Sequence, residues 1–360
     1  MRVLALTPNL YGISPGQRTS IELWQRVLEP AGISMEFSSF ETDELHAVIY
    51  EPGHTAGKAL AMARAYAARL PVMRRLDEFD AILVYREAAM IGPALLERWA
   101  ARKKPIIYQL DDPLYVPYRS PFSGYLSYLK FFGKVKSIIG MSSAVIVNSP
   151  HHREYASRFN DNIWEVPSVV DETKFTYRPR PRSAERGTCV GWSGSASTVK
   201  NLQTIRDVLR EVGSRSDVEL RFIGASDVDL PEVEHTAVHW RAETEVDDLR
   251  QLDIGLVPLP TDEWTKRKFY LKLVQYMALG IPAVATPLGA NPTVIDEGRT
   301  GFLASTPSEW LAAITRLVED EELWLRMREA AAEEAAKHYT LAANAERIVA
   351  AFRSAVGVPR

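Results

Sequence analysis

Short apolar runs alternate along the chain with longer amphipathic stretches. Met1–Thr7, Ala81–Tyr85, Ile106–Leu110 and Ala144–Ser149 read as buried strands in the first half. Val190–Gly194, Arg221–Gly224, Leu252–Pro260 and Ala283–Thr286 do so in the second. Strands alternating with helices in both halves predict parallel sheets covered on both faces, hence two Rossmann-like domains. Between them, Tyr177-Arg178-Pro179-Arg180-Pro181-Arg182 is polar and punctuated by proline, which suits neither a helix nor a central strand. The expected division is a first domain over 1–175, a linker over 176–187, a second domain over 188–338 and a C-terminal helix over 339–360. Alanine-rich Ala59–Ala68 is expected to be helical, as are segments from Pro307 and from about Leu341.

The most informative stretch runs from Phe269 to Leu303. Tyr270, Leu273, Val274, Met277 and Ala278 recur at spacings of three and four and form one apolar helix face. Lys268, Lys272 and Gln275 share the neighbouring polar stripe. Gly280 and Pro282 end the helix, and Pro287–Asn291 forms a turn after the following strand. A helix N-terminus with unpaired N–H groups and lysines beside it favours a phosphate. The same pattern also fits an ordinary packed βα unit with surface lysines.

At 360 residues the chain suits two domains. A quarter of its residues are charged and 46% apolar, as in soluble globular proteins. The formal charge of −3 gives no basic excess, so nucleic acid is not an expected partner. The single cysteine, Cys189, allows no internal disulfide and reads as a small buried hydrophobe, consistent with a cytoplasmic protein. Met1 leads straight into a strand without a signal pattern, and no apolar run is long enough to span a bilayer.

Ile106–Leu110 runs into Asp111-Asp112-Pro113. Adjacent aspartates on an extended chain point to opposite sides, so they serve poorly as joint metal ligands unless a turn follows. The chemical reading, in which Asp112 orients a hydroxyl or stabilises developing positive charge, stands beside a plain turn-capping role. Arg86 and Glu87 occupy a comparable strand-end position. His151 and His152, at a helix start, are expected at the surface. From Leu114 to His152 no acid occurs, while Arg119, Lys130, Lys134 and Lys136 alternate with Tyr115, Tyr118, Phe122, Tyr125, Tyr128, Phe131 and Phe132. This pattern suits either peripheral contact with an anionic membrane surface or a helix with core aromatics.

Gln275-Tyr276-Met277-Ala278-Leu279-Gly280-Ile281-Pro282-Ala283-Val284-Ala285, with the tail Gly289–Gly301, resembles the donor-site signature of retaining GT-B glycosyltransferases of family 4. Trp164–Asp171 resembles the passage where such chains cross between domains, and Lys200-Asn201-Leu202 stands where they carry a phosphate-binding lysine. The resemblance covers almost the whole chain. It implies an α/β, GT-B fold of two doubly wound domains facing across a cleft, with a C-terminal helix returning to the first. It also implies a UDP- or GDP-sugar as donor, no required cofactor or metal, and a glycan, lipid-linked or small-molecule acceptor.

By the same resemblance, Gly16, Gly194, Ser195, Lys200, Lys268, Lys272 and Gln275 are donor-binding candidates. Arg86, Glu87, Asp111 and Asp112 are acceptor-side candidates, and Asp112, Lys200 and Lys272 carry catalysis. Three positions depart from the family. Gly194 stands where an arginine is usual, Arg267 where a sugar-contacting glutamate is usual, and Gln275 where a ribose-binding glutamate is usual. Gln275 still offers an amide oxygen to ribose, but Arg267 cannot accept a hydrogen bond, which leaves Asp262 or Glu263 for the sugar. Two alternatives remain: a GT-B sugar-nucleotide epimerase or hydrolase, and a non-catalytic sugar-binding protein on a degraded transferase scaffold. No Gly-x-Gly-x-x-Gly follows the first strand, which disfavours a nicotinamide dehydrogenase.

Overall fold

The computed structural model describes every residue except 52, 119–123, 183–186, 196–197, 225–227 and 358–360, and omits the side chains of 124–126. The chain divides into two compact units, Met1–Ser168 with Asn344–Arg360, and Val169–Ala343.

The first unit holds strands β1 (Arg2–Thr7), β2 (Ser34–Ser39), β3 (Ala81–Tyr85), β4 (Ile106–Leu110), β5 (Ala144–Val147) and β6 (Ile163–Glu165). They form one parallel sheet in the order β2-β1-β3-β4-β5-β6. All residues of β3, β4 and β5 are buried, as expected for central parallel strands covered on both faces, and this is why they read as unbroken apolar runs. The edge strand β2, SMEFSS, has no fully buried residue, so its short polar sequence carries no such signal.

The second unit holds β7 (Thr188–Ser193), β8 (Val218–Ile223), β9 (Thr236–Val238), β10 (Ile254–Val257), β11 (Ala283–Ala285) and β12 (Gly301–Leu303). Their order is β12-β11-β10-β7-β8-β9, again all parallel. Side chains alternate across the sheet: Ala283 and Ala285 join one core with Val274 and Met277, while Val284 joins the other with Trp192, Phe222 and Trp310. Cys189 is buried in the first of these cores. Both sheets are Rossmann-like, as expected from the alternation of strands and helices.

The segment Tyr177–Arg182 lies inside the second unit. The last helix, Leu341–Gly357, begins in the second unit and ends in the first. There Phe352 packs edge-on against Trp24 at 6.4 Å, and Trp164 Nε1 donates to Ser354 Oγ at 3.0 Å. Among the described residues no helix is long and apolar enough to cross a membrane.

Candidate active site

In open α/β sheets, ligand-binding groups gather beyond the carboxyl ends of the strands. In the first unit, the ends of β3 and β4 meet there. Tyr85 Oη donates to Asp111 Oδ2 at 2.7 Å. Arg86 donates through Nε to Asp111 Oδ1 at 2.6 Å and through Nη2 to Oδ2 at 2.9 Å, and the same Nη2 lies 2.6 Å from Asp112 Oδ2. The turn after Leu110 thus brings both aspartates onto one guanidinium, which fills the place a cation would take between them. Burial opposes the charge of Arg86, yet Asp111 and Asp112 outweigh it and hold its pKa above the ordinary value. Burial pushes the Tyr85 hydroxyl up as well, Arg86 opposing and Asp111 adding to the shift.

A Cβ on Gly16 would stand 2.8 Å from Arg86 Nη2 and 3.2 Å from Asp111 Oδ2. Glycine therefore lets the helical turn Pro15–Gln17 pass over the cluster, so that Gly16, a donor-binding candidate, lies beside the acceptor-side candidates Arg86 and Asp111. Glu87 stands apart from the cluster, paired with Lys134 at 2.7 Å with both side chains largely buried. Lys134 also donates to the Ala89 carbonyl at 2.8 Å, so this lysine of the basic and aromatic segment faces the interior. Arg119, Phe122 and the side chain of Tyr125 lie outside the described residues. Tyr115 stacks on Tyr155 at 3.6 Å, whereas Tyr118, Tyr128 and Phe131 are exposed.

Two further residues join this edge. Asn148, just beyond β5, donates through Nδ2 to the Asp111 carbonyl at 3.2 Å. Its Oδ1 lies 2.8 Å from Nδ1 of His152, which is fully buried and not at the surface as expected, while His151 is exposed. Helix Pro150–Ala156 starts at a Ser149 cap and turns His152 back under the strand end. A polar asparagine closing an apolar strand is a signal that the sequence carries.

In the second unit, the carboxyl end of β7 is fixed from below: Ser193 N donates to Tyr276 Oη at 2.7 Å. Gly194 and Gly224 cross closely, since a Cβ on Gly224, at φ +97°, would lie 1.9 Å from the Gly194 carbonyl oxygen. Ser195 N donates to Thr198 Oγ1 at 3.0 Å, which closes the loop before the 3-10 helix Val199–Ile205. Lys200 projects from that helix into solvent.

The helix of the signature segment spans Leu271–Ala278, three residues shorter at its start than its pattern suggests, because Lys268, Phe269 and Tyr270 are not yet helical and Lys268 is therefore not on the stripe of Lys272 and Gln275. Lys272 Nζ and Gln275 Nε2 both point to Glu245 Oε1, at 3.3 and 3.4 Å. Gln275 is buried, and its Oε1 has no hydrogen-bond partner among the described residues. Lys268 precedes the helix in extended backbone, where its carbonyl accepts from Ala290 N at 3.1 Å. Gly289, at φ +60°, would place a Cβ 2.2 Å from that carbonyl.

Arg267 is paired with Glu263 at 2.6 Å. Asp262 caps its own turn, accepting from Trp264 N and Thr265 N at 2.9 and 2.8 Å. The carboxylate that meets Gln275 is instead Glu245, from the short helix Glu245–Leu249. In sequence it is one of several acids at a helix start, an ordinary place for negative charge, so nothing marks it.

Residues 187–320 match the family model described as Glycosyl transferases group 1. A D-inositol 3-phosphate glycosyltransferase of Corynebacterium efficiens is 29% identical over 180 residues, covering 48% of this chain and 37% of that protein. The chain spans less than half the length of the curated relatives it matches. Sucrose-phosphate synthase from Thermosynechococcus elongatus has a TM-score of 0.73 at 14% identity, covering 98% of both chains. Anabaena Alr3699/HepE in complex with UDP has a TM-score of 0.66 at 15% identity, covering 98% of this chain and all of that one. The chain therefore has the GT-B fold, and its residues 187–320 form a domain similar to the glycosyl transferases group 1.

Proposed function

We propose that the chain is a nucleotide-sugar-dependent glycosyltransferase that moves a sugar to an acceptor hydroxyl with retention of anomeric configuration. The observation that carries this reading is that the family match spans both the strand end that presents Ser193 and Gly194 and the helix Leu271–Ala278 that carries Lys272 and Gln275. The complex of a fold neighbour with UDP supports a uridine nucleotide as the first donor to test.

In this reading the second unit binds the donor. Lys200 and Lys272 meet the diphosphate, and the backbone at Gly194 and Ser195 approaches it where a side chain would intrude. Gln275 holds the ribose. As the bond from the anomeric carbon to the phosphate oxygen breaks, charge grows on the diphosphate and the lysines stabilise it. The acceptor oxygen bonds to the anomeric carbon on the face that the diphosphate leaves, and its proton passes to a phosphate oxygen. No dedicated base and no metal are required.

The first unit takes the acceptor, with Asp112 beside the reacting hydroxyl. Arg86 and Gly16 act through Asp111 and Asp112 as positioning residues. The exposed Tyr118, Tyr128 and Phe131 support peripheral contact with a membrane carrying a lipid-linked acceptor. Co-sedimentation with anionic phospholipid vesicles tests that contact.

The deciding experiment is calorimetric titration with UDP, GDP, ADP and dTDP in EDTA, repeated for Lys200→Ala. Binding of one nucleotide, weakened in the variant, is expected. Failure of all four to bind would overturn the site.

A further inference from the structure

The second unit carries a cavity of about 660 Å³ lined by five arginines, Arg178, Arg180, Arg182, Arg250 and Arg328. Its floor is apolar, formed by Leu252 and Ile281 among others, which stand two residues before the starts of β10 and β11. The cavity therefore opens at the amino edge of the sheet, whereas the donor candidates lie at the carboxyl edge. Among the described residues no acidic side chain lines it.

The fold holds four of these guanidiniums, those of Arg180, Arg182, Arg250 and Arg328, in fixed positions. Arg182 and Arg328 lie over the buried Trp324 ring at 4.3 and 4.4 Å. Arg182 also donates to the Val318 carbonyl at 2.7 Å, and Arg328 to the carbonyls of Gly280 and Arg180 at 2.9 and 2.6 Å. Arg180 pairs with Asp253 at 2.8 Å, and that aspartate also accepts from Cys189 N. Arg250 reaches Asp247 at 3.1 Å, and Arg178 is exposed at the rim. Burial lowers the pKa of Arg328; Tyr177 and Asp253 oppose the shift, and the neighbouring Arg180 and Arg182 add to it. Among the described residues Asp253 and Asp247 pair with the cluster and Glu321 acts on Arg182, which still leaves the five guanidiniums in excess around one concave, half-apolar space. Planar guanidiniums recognise phosphate oxygens in pairs, and the volume falls in the range of small-molecule pockets.

We propose that this arginine-lined cavity binds a phosphorylated small molecule, at a site separate from the one that takes the donor. The phosphate sits among Arg178, Arg180 and Arg250 toward the rim, while the remainder of the ligand lies on the floor of Leu252 and Ile281. Bound there, the ligand adds to the contacts between Thr176–Arg182 and the chain after the helix end, where Arg250 donates to the Thr176 carbonyl at 3.3 Å and Arg180 to the Leu252 carbonyl at 3.0 Å.

Inorganic pyrophosphate is the probe. It is titrated calorimetrically in low salt into the wild-type chain, the double variant Arg178→Ala/Arg250→Ala, and the donor-side variant Lys200→Ala/Lys272→Ala. The expected result is binding to the wild type that weakens about tenfold or more in the arginine variant and persists in the lysine variant. Binding lost only in the lysine variant, retained in the arginine variant, or absent from the wild type would overturn the proposal. Because truncation can disturb folding, Arg178→Gln/Arg250→Gln serves as a second variant. Hydrogen exchange of the wild type with pyrophosphate gives a readout independent of substitution: protection at 178–182 and 250–252 supports the site, and protection confined to 193–202 refutes it. The donor-side reading is judged separately, by nucleotide binding.

Discussion

Arg86 grips Asp111 with two prongs, Nε to Oδ1 at 2.6 Å and Nη2 to Oδ2 at 2.9 Å, from a backbone held at φ +60°. An arginine in the left-handed region is strained and persists when its surroundings over-determine it. Here its N–H donates to the Gln109 carbonyl at 3.0 Å, and its own carbonyl accepts from Tyr108 Oη at 2.9 Å. Removing one partner leaves buried charge uncompensated. Arg86→Ala is expected to cost about 3–5 kcal/mol, and the double variant Arg86→Ala/Asp111→Ala to recover part of it. Urea unfolding of the two single variants and the double variant checks this. Simple additivity would show that the pair is not coupled.

Lys272 donates to Glu245 at 3.3 Å and is proposed to meet the donor diphosphate. Lys272→Ala is expected to weaken nucleoside-diphosphate binding by about 1.5–3 kcal/mol, the worth of a charge-assisted hydrogen bond. Uridine itself, which lacks the phosphates, should bind the variant and wild type alike. Calorimetry with both ligands separates the two, and an equal loss for both would move Lys272 away from the phosphate.

Gly224 combines φ +97° with the Gly194 carbonyl where its Cβ would stand. Gly224→Ala therefore forces the exits of β7 and β8 apart, with an expected cost of about 1–3 kcal/mol from backbone strain alone. Nucleotide binding should fall with it. Gly12, at φ +78° with nothing within 4 Å of a Cβ, is the control. Gly12→Ala is strained but clashes with nothing, so chemical denaturation should rank it as the milder change and binding should be unaffected.

Glu97 is buried on the helix Leu95–Ala101 and accepts from Ala88 N at 2.9 Å. Burial raises its pKa above the 4.5 of a free glutamate, with the Ala88 N–H and Lys134 opposing. The folded chain thus binds this proton more tightly than the unfolded one. The contribution to stability is complete below pH 4.5 and is lost as pH rises through the folded pKa. Glu97→Gln, neutral throughout, should melt higher than wild type near neutral pH, with the difference shrinking on acidification. Thermal melts across that range check it, and a difference that grows in acid would reverse the sign.

The central strands were legible because parallel strands covered on both faces must be apolar along their whole length. Ala81–Tyr85 and Ile106–Leu110 were read with their observed bounds for that reason. The edge strand Ser34–Ser39 was not, since it has no unbroken apolar run and only the short alternation of Met35 and Phe37 with Glu36 and Ser38 marks it. At the candidate sites, local pattern located Lys272, Gln275, Asp111 and Asp112 but not what they touch. Glu245 is 27 residues from Lys272 and 30 from Gln275, so their meeting depends on how two helices lie against each other. His152 was misread for a related reason: a helix start is normally exposed, and the Ser149 cap with Asn148 turns this one inward.

The first unit is assembled from Met1–Ser168 and the returning residues Asn344–Arg360, with the entire second unit spelled between them. During synthesis, Trp24 and Trp164 leave the ribosome well before Phe352 and Ser354, the groups that cover them. The second unit, being one unbroken stretch, can close its sheet while the earlier-made one still waits for its last helix. The first unit is thus completed only when the helix Leu341–Gly357 arrives, so its loss is expected to leave the second unit able to fold and Trp24 and Trp164 of the first uncovered.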